Sequence, residues 1–114
     1  MSVFSGMFPI LPGKEGAARA WARETAGPRK HGFDALQRHA EITRETWTLQ
    51  TTPGGSFMLV WFEGNVEKAF EDVATGQDEF TAWHRARLLE VTGIDLSQPE
   101  EGPPPETLLD WRAG

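Results

Sequence analysis

Several features that often reveal a protein's function are missing from this sequence. The chain of 114 residues contains no cysteine, which excludes disulfide bonds and any chemistry that needs a thiolate. None of its apolar runs approaches the length of a membrane-spanning helix. Acidic residues outnumber basic ones by 17 to 11, and the net charge of −6 disfavours nucleic acids and anionic membranes as partners.

Targeting and cofactor motifs are missing too. The first residues do not combine a basic region with a long apolar run, so we expect no signal peptide and a cytoplasmic location. Gly54 and Gly55 lie in a predicted hairpin and do not precede a helix, so they do not form a phosphate-binding loop. The histidines and carboxylates form no dense cluster at metal-ligand spacing. The sequence therefore predicts neither a metal nor another cofactor.

The residues that are present suffice for one folded domain. Hydrophobic residues make up 39% of the chain and include five tryptophans, which allows a substantial core. A chain of this length forms one domain and not two. We predict a single domain over residues 1–114 that ends in a proline-rich arm, residues 97–114.

Residues 42–63 predict a β-hairpin around which the rest of the chain is organised. Residues 57–62 are all apolar, which is typical of a strand buried on both faces. The preceding strand, 42–50, is mixed in character and therefore more exposed. Between the strands, Pro53 and Gly54 suit the central positions of a type II turn, because proline presets a negative φ and glycine accepts a positive one.

The remaining elements follow from apolar spacing and from capping residues. The predicted helical pieces are, in chain order, 14–25, 33–40, 66–73 and 80–91. Asn65 and Asp78 predict helix N-termini, and Gly93 predicts a helix C-terminus. Residues 3–10 predict a first strand, and residues 106–111 predict a short last strand or docked arm.

This order of elements predicts an α+β fold. Strand, helix, strand, strand, helix, strand is the βαββαβ pattern of ferredoxin-like domains, which have a four-stranded antiparallel sheet with helices on one face. The pattern places the first and third strands at the centre. Half of the side chains of residues 57–62 would then lack a cover, and a second copy of the sheet is the simplest one. We therefore expect a homodimer, with the last strand docked on its own or on the partner subunit.

A resemblance supports the same architecture. The PGK of residues 12–14 and the closing GIDLSQPEEGPPPETLLDW of residues 93–111 resemble a family of small, uncharacterised bacterial proteins in the dimeric α/β-barrel superfamily. The resemblance implies two ferredoxin-like protomers that pack sheet to sheet. That superfamily includes antibiotic-biosynthesis-type monooxygenases, haem proteins similar to chlorite dismutase, and stress-responsive barrel proteins. No catalytic motif of these proteins is found here, so the resemblance assigns no residue roles.

His84 is the first candidate for a catalytic group. Phe80 and Leu88 lie one helical turn on either side of it, so its side chain is expected to point inward. In that position it would act as a general base or as a ligand near physiological pH. The alternative is a histidine at the edge of the core, hydrogen-bonded to a backbone carbonyl.

Glu45 is the second candidate, because a carboxylate that faces the interior has a raised pKa and can serve as a base. The alternative is an edge-strand glutamate paired with arginine in solvent. Trp47, Trp61 and Trp83 are candidate lining residues of a ligand pocket, or else core and interface residues.

His39 is a further candidate ligand-binding residue. With Glu41 two residues on, it could help to bind a metal, but no i,i+4 pair or dense cluster of ligands accompanies the two. An inward His84 or His39 could also serve as the axial ligand of a haem.

Three classes of function are consistent with these residues. The first is an enzyme of the cofactor-free monooxygenase kind, and the second is a module that binds a small apolar ligand. The third is a structural or interaction dimer with a filled core and no catalytic activity. We expect a homodimer that binds or transforms a small organic molecule in a barrel pocket.

Overall fold

The described part of the chain is a three-stranded sheet with four helices. The structure, a computed structural model, describes residues 2–99 and 102–114, so residues 100 and 101 of the predicted arm lie outside it. The elements are β1 (Ser2–Pro9), α1 (Glu15–Ala26), α2 (Lys30–His39), β2 (Arg44–Thr52), β3 (Gly55–Gly64), α3 (Val66–Thr75) and α4 (Glu79–Thr92).

The apolar strand β3 lies at the centre of the sheet. The strands are antiparallel in the order β1-β3-β2. Along β3, Phe62 lies opposite Phe4 of β1 and Glu45 of β2, so both edges of β3 are hydrogen-bonded. The prediction that residues 57–62 form a central strand is therefore confirmed.

The hairpin turns at Pro53 and Gly54, but the predicted type II turn is wrong. Gly54 has no positive φ; the positive φ, 132°, is at Gly55. The Thr52 hydroxyl closes the turn, since it accepts a hydrogen bond from the Gly54 N–H at 3.1 Å and donates one to the Gly55 carbonyl at 2.9 Å. This local side-chain contact selects a turn that the proline–glycine pattern does not specify.

The predicted four-stranded, ferredoxin-like βαββαβ sheet is wrong. Within residues 2–99 and 102–114 no strand follows α4, and residues 106–111 are irregular. β1 is therefore an edge strand and not a central one. The three prolines of residues 103–105 cannot donate to a ladder, and the apolar residues after them are too few to impose pairing on the edge of β1.

The C-terminal segment is exposed instead of docked as a strand. Leu108, Leu109 and Trp111 are 88%, 83% and 77% exposed. Arg112 forms an ion pair with Glu63 near the end of β3, which holds the segment beside the sheet. A cleft separates residues 105–112 from the sheet surface.

The two faces of the sheet differ in their surroundings. On the inner face, Met58, Val60 and Phe62 are buried against the helices, where Trp21 and Leu88 join the same core. The opposite face, called the outer face, consists of Val3, Ser5, Met7, Thr46, Thr48, Phe57, Leu59, Trp61 and Glu63. Met7 is 61% and Leu59 is 36% exposed on the outer face. Helices therefore cover only one side of the sheet, as the sequence predicts.

The predicted helix ends are confirmed by their capping contacts. Asn65 accepts a hydrogen bond from the Lys68 N–H at 3.1 Å, which begins α3. Asp78 accepts one from the Thr81 N–H at 3.0 Å, which begins α4. Gly93 ends α4 in the left-handed conformation, with φ of 77°. Among the described residues, no helix combines the length and apolar character that a membrane span needs.

Candidate functional site

A cavity lies between the inner face of the sheet and the helices. Its volume is about 70 Å³. The lining is mostly apolar and aromatic, from all three strands and all four helices, and polar side chains reach it at Gln37, Glu45 and His84. We call it the inner cavity. It is large enough for water molecules and about half the size of the ~150 Å³ cavity in which benzene binds.

His84 points into the protein, as the helical spacing predicts. It lies on α4 with Phe80 and Leu88, and all three side chains are buried. Its Nδ1 accepts a hydrogen bond from the Trp21 indole at 3.2 Å. The partner is thus an indole N–H and not the backbone carbonyl that the alternative interpretation requires.

The His84 imidazole is neutral at physiological pH. Burial lowers the pKa of His84 from 6.5 to about 4, because the charged ring would lose its hydration. With Nδ1 accepting, the proton of the neutral ring lies on Nε2. No protein atom of residues 2–99 or 102–114 accepts a hydrogen bond from Nε2. His84 therefore offers one free N–H donor to a molecule in the inner cavity.

Aromatic rings surround this imidazole. Phe80 and Trp47 stack on it, with ring centroids at 5.4 Å and 5.7 Å and interplanar angles of 17° and 22°. Trp21 and Phe33 are tilted against it at 5.3 Å and 6.1 Å. These π surfaces favour a planar, uncharged neighbour over a strongly hydrated one.

Glu45 also faces the interior. It lies on the inner side of β2, where its carboxylate accepts hydrogen bonds from the Trp47 indole at 2.6 Å and from the Gln37 amide at 2.8 Å. Burial raises the pKa of Glu45, and the two hydrogen bonds partly oppose that rise. The alternative, an exposed glutamate paired with arginine, is therefore wrong, because the partners of Glu45 are Trp47 and Gln37.

Trp47 separates the two candidate groups. Its indole N–H binds Glu45 and its ring stacks on His84. Glu45 is not among the causes of the pKa shift of His84, which comes from burial. His84 is therefore a neutral imidazole and not one that a neighbouring Glu45 keeps charged.

The other candidate residues lie outside the inner cavity. Trp61 is on the outer face, because Trp47 pairs with Val60 across the hairpin and Trp61 pairs with Thr46. Trp83 lies under the Arg29 guanidinium, 4.3 Å from the ring centroid. His39 is exposed, and its Nδ1 lies 2.7 Å from an Asp72 oxygen.

Sequence reasoning missed several residues that complete the site. Gln37 carried a usable signal, since it lies one helical turn after Phe33 on the same side of α2. Trp21 lies in the predicted helix 14–25, where its apolar character indicates the core and not a hydrogen bond to His84. The separation of Trp47 from Trp61 was also predictable, because a turn centred on Pro53 and Gly54 pairs Trp47 with Val60.

The arrangement suits binding better than proton transfer. His84 Nδ1 is already engaged with Trp21, and both oxygens of Glu45 accept hydrogen bonds. His84 Nδ1 cannot take up a proton without losing its Trp21 partner, whereas each Glu45 oxygen keeps a second lone pair while it holds Gln37 or Trp47. Across the described ranges, no three histidine or acidic side chains come together in a way that could hold a metal ion.

Comparisons with known proteins do not identify a family. No protein-family model matches the chain, and no curated protein or solved structure matches it significantly.

Proposed function

We propose that this protein binds a small, uncharged organic molecule in the inner cavity. The observation that carries the proposal is the neutral His84, whose Nε2–H has no protein acceptor and which lines an aromatic cavity. The His84 ring is largely buried, and its N–H is satisfied when a bound molecule or water accepts from it. The cavity lies on the helix side of the sheet, not in the barrel expected between two sheets.

The charge of the site supports an uncharged ligand. The cavity lining includes no lysine or arginine among the described residues, and burial keeps His84 neutral. An anion would therefore lose its hydration without gaining a cationic partner. A carbonyl or hydroxyl oxygen on a small apolar body matches the single N–H donor.

Small probes matched to the cavity and to one another test this proposal. Acetone carries a carbonyl acceptor, isobutene has the same shape without it, and acetate is charged. In ¹⁵N-labelled protein, acetone should shift the amide signals of cavity residues at lower concentration than isobutene, and acetate should shift none of them. The His84→Phe variant should lose the preference for acetone over isobutene. Equal shifts with acetate, or no cavity shifts with acetone at high millimolar concentration, would contradict the proposal.

The proposal includes assembly as a homodimer through the outer face. The apolar side chains Val3, Met7, Leu59 and Trp61 form a continuous surface there, and the exposed Leu108, Leu109 and Trp111 lie beside it. Burial of apolar area contributes roughly 25 cal/mol per Å², so a second copy that covers both features is strongly favoured. A cytoplasmic location belongs to the same proposal, since a chain without cysteine needs no oxidising compartment.

Light scattering after gel filtration tests the dimer. We expect twice the chain mass of 12.7 kDa at micromolar concentration. Leu59→Lys places a charge at the centre of the outer face and should give the single-chain mass. Leu89→Lys is the matched control, because Leu89 is 46% exposed on α4, away from the outer face. A wild-type protein of single-chain mass would contradict the dimer.

A further inference from the structure

A groove at the β2 edge of the sheet shares a wall with the inner cavity. The groove has a volume of about 200 Å³ and is open to solvent. It is lined by Ala22, Thr25, Ala26, Phe33, Glu45 and Trp47. Phe33, Glu45 and Trp47 also line the inner cavity. Trp47 therefore forms part of the wall that the inner cavity shares with the more open groove.

Non-covalent contacts hold the Trp47 ring in this wall. Its indole N–H donates to Glu45 Oε2 at 2.6 Å, and its ring stacks on His84 at 5.7 Å. The ring also contacts Trp21 and Phe33, with ring centroids at 4.7 Å and 6.0 Å, and its displacement breaks these contacts as well. Trp47 lies on an edge strand, so one side of β2 has no neighbouring strand. A change of side-chain rotamer can move the ring outward while the backbone ladder to β3 stays intact.

We infer that Trp47 occupies the site of a ligand that displaces it, and that this ligand is an uncharged, planar heteroaromatic molecule with an N–H donor. The ligand N–H takes the place of the indole N–H on Glu45 Oε2. The ligand ring takes the place of the indole on the face of His84. The inference rests on the proposed function, so the ligand also carries the oxygen that accepts from the His84 Nε2–H; the inference adds the route into the cavity, the N–H donor and the planar ring, and indole probes these added features alone.

The sizes of the spaces agree with this exchange. The inner cavity, about 70 Å³, is too small for a ring with substituents while Trp47 is in place. Displacement of Trp47 connects it with the groove of about 200 Å³ and adds the volume that the indole vacates. The joined space reaches the lower end of ordinary ligand pockets, about 300 Å³.

Indole itself is the probe for the wild-type protein. The side-chain N–H signal of Trp47 is assigned in ¹⁵N-labelled protein by its loss in Trp47→Phe. On titration with indole, this signal should move together with the amide signals of cavity residues, because the Glu45 hydrogen bond changes partner. If the amide signals of the cavity move and the Trp47 N–H signal does not, the proposed function stands and the displacement of Trp47 is refuted. If neither the cavity amide signals nor the Trp47 N–H signal moves, the displacement of Trp47 by this ligand is refuted too.

Removal of the Trp47 ring gives a second readout. Trp47→Ala should bind indole at least about tenfold more tightly than wild type, since no side chain has to be displaced; tenfold corresponds to about 1.4 kcal/mol. N-methylindole, which lacks the N–H, should bind Trp47→Ala about tenfold more weakly than indole. Trp83→Ala is the matched control, because Trp83 lines neither space and its loss should leave indole affinity at the wild-type value. Equal affinity of wild type and Trp47→Ala for indole, or of indole and N-methylindole for Trp47→Ala, would refute the inference.

Discussion

The burial of His84 makes a quantitative prediction about stability and pH. Burial lowers the pKa of His84 from 6.5 to about 4 in the folded protein. Between these values the unfolded chain binds a proton on His84 and the folded chain does not. The unfolded state then carries more protons, so the free energy of unfolding falls as the pH falls.

The expected magnitude follows from the two pKa values. Between about pH 7.5 and about pH 5, protonation of the unfolded chain at His84 should lower the free energy of unfolding by about 2 kcal/mol. Most carboxylates with a lowered pKa, such as Glu15 and Asp78, act at more acidic pH, since their ordinary values are 4.5 and 3.8. The window above about pH 5 therefore reports mainly on His84 and on groups with raised pKa values.

Glu45 works in the opposite direction in the same window. Burial raises its pKa above the ordinary value of 4.5. The folded state then binds more protons at Glu45 than the unfolded state, so this group stabilises the protein as the pH falls and loses that contribution as the pH rises. The free energy of unfolding of the wild-type protein therefore changes with pH by the difference between the His84 and Glu45 effects. A variant at each position separates the two.

Urea unfolding followed by tryptophan fluorescence at about pH 7.5 and about pH 5 measures the effect. His84→Phe should lose about 2 kcal/mol less than wild type on acidification, because it cannot titrate. Glu45→Gln should lose more than wild type, since the compensating carboxyl is gone. Ionisable groups common to the three proteins cancel in these differences. Identical pH dependence of wild type and His84→Phe would refute the burial of an uncharged imidazole.

Three further predictions concern packing, capping and the C-terminal segment. Gly32→Ala should lower the free energy of unfolding by about 1–3 kcal/mol, because a Cβ at this position would lie 2.6 Å from the Phe80 Cβ. Gly16→Ala is the control: its Cβ would meet no atom within 4 Å, so in the same urea experiment the free energy of unfolding should rise by up to about 1 kcal/mol. Asn65→Ala should lower the thermal midpoint by removing the cap of α3, with a loss of about 1 kcal/mol, and Asn65→Asp should retain the midpoint. Deletion of residues 103–114 should leave the unfolding free energy of the dilute single chain unchanged within about 0.5 kcal/mol, because Leu108 is 88% exposed. The same deletion should weaken dimer formation, measured by sedimentation equilibrium. Unchanged dimer formation would show that the segment takes no part in the interface.

The sequence by itself determined the start of α3, both ends of α4, the central strand and the inward direction of His84. Caps and stop signals act over three or four residues, so Asn65, Asp78 and Gly93 are readable without knowledge of the fold. The run 57–62 is apolar on both alternations, which is typical of a central strand, although within the single chain only Met58, Val60 and Phe62 of this run are buried. His84 follows from the same local logic, because its neighbours one turn away are apolar.

Tertiary structure decided the number of strands and the partners of the candidate residues. Residues 106–111 look like a strand when read alone, but a strand exists only where another strand's N–H and C=O groups are presented to it. The preceding prolines and the ion pair of Arg112 with Glu63 place this segment beside the sheet instead. The hydrogen bonds from Trp21 to His84 and from Gln37 to Glu45 join elements whose relative placement only packing sets. Local patterns are encoded within a few residues of the chain, whereas these contacts depend on how whole helices and strands pack. The inner cavity, with Trp47 in its wall, is therefore a property of the tertiary structure.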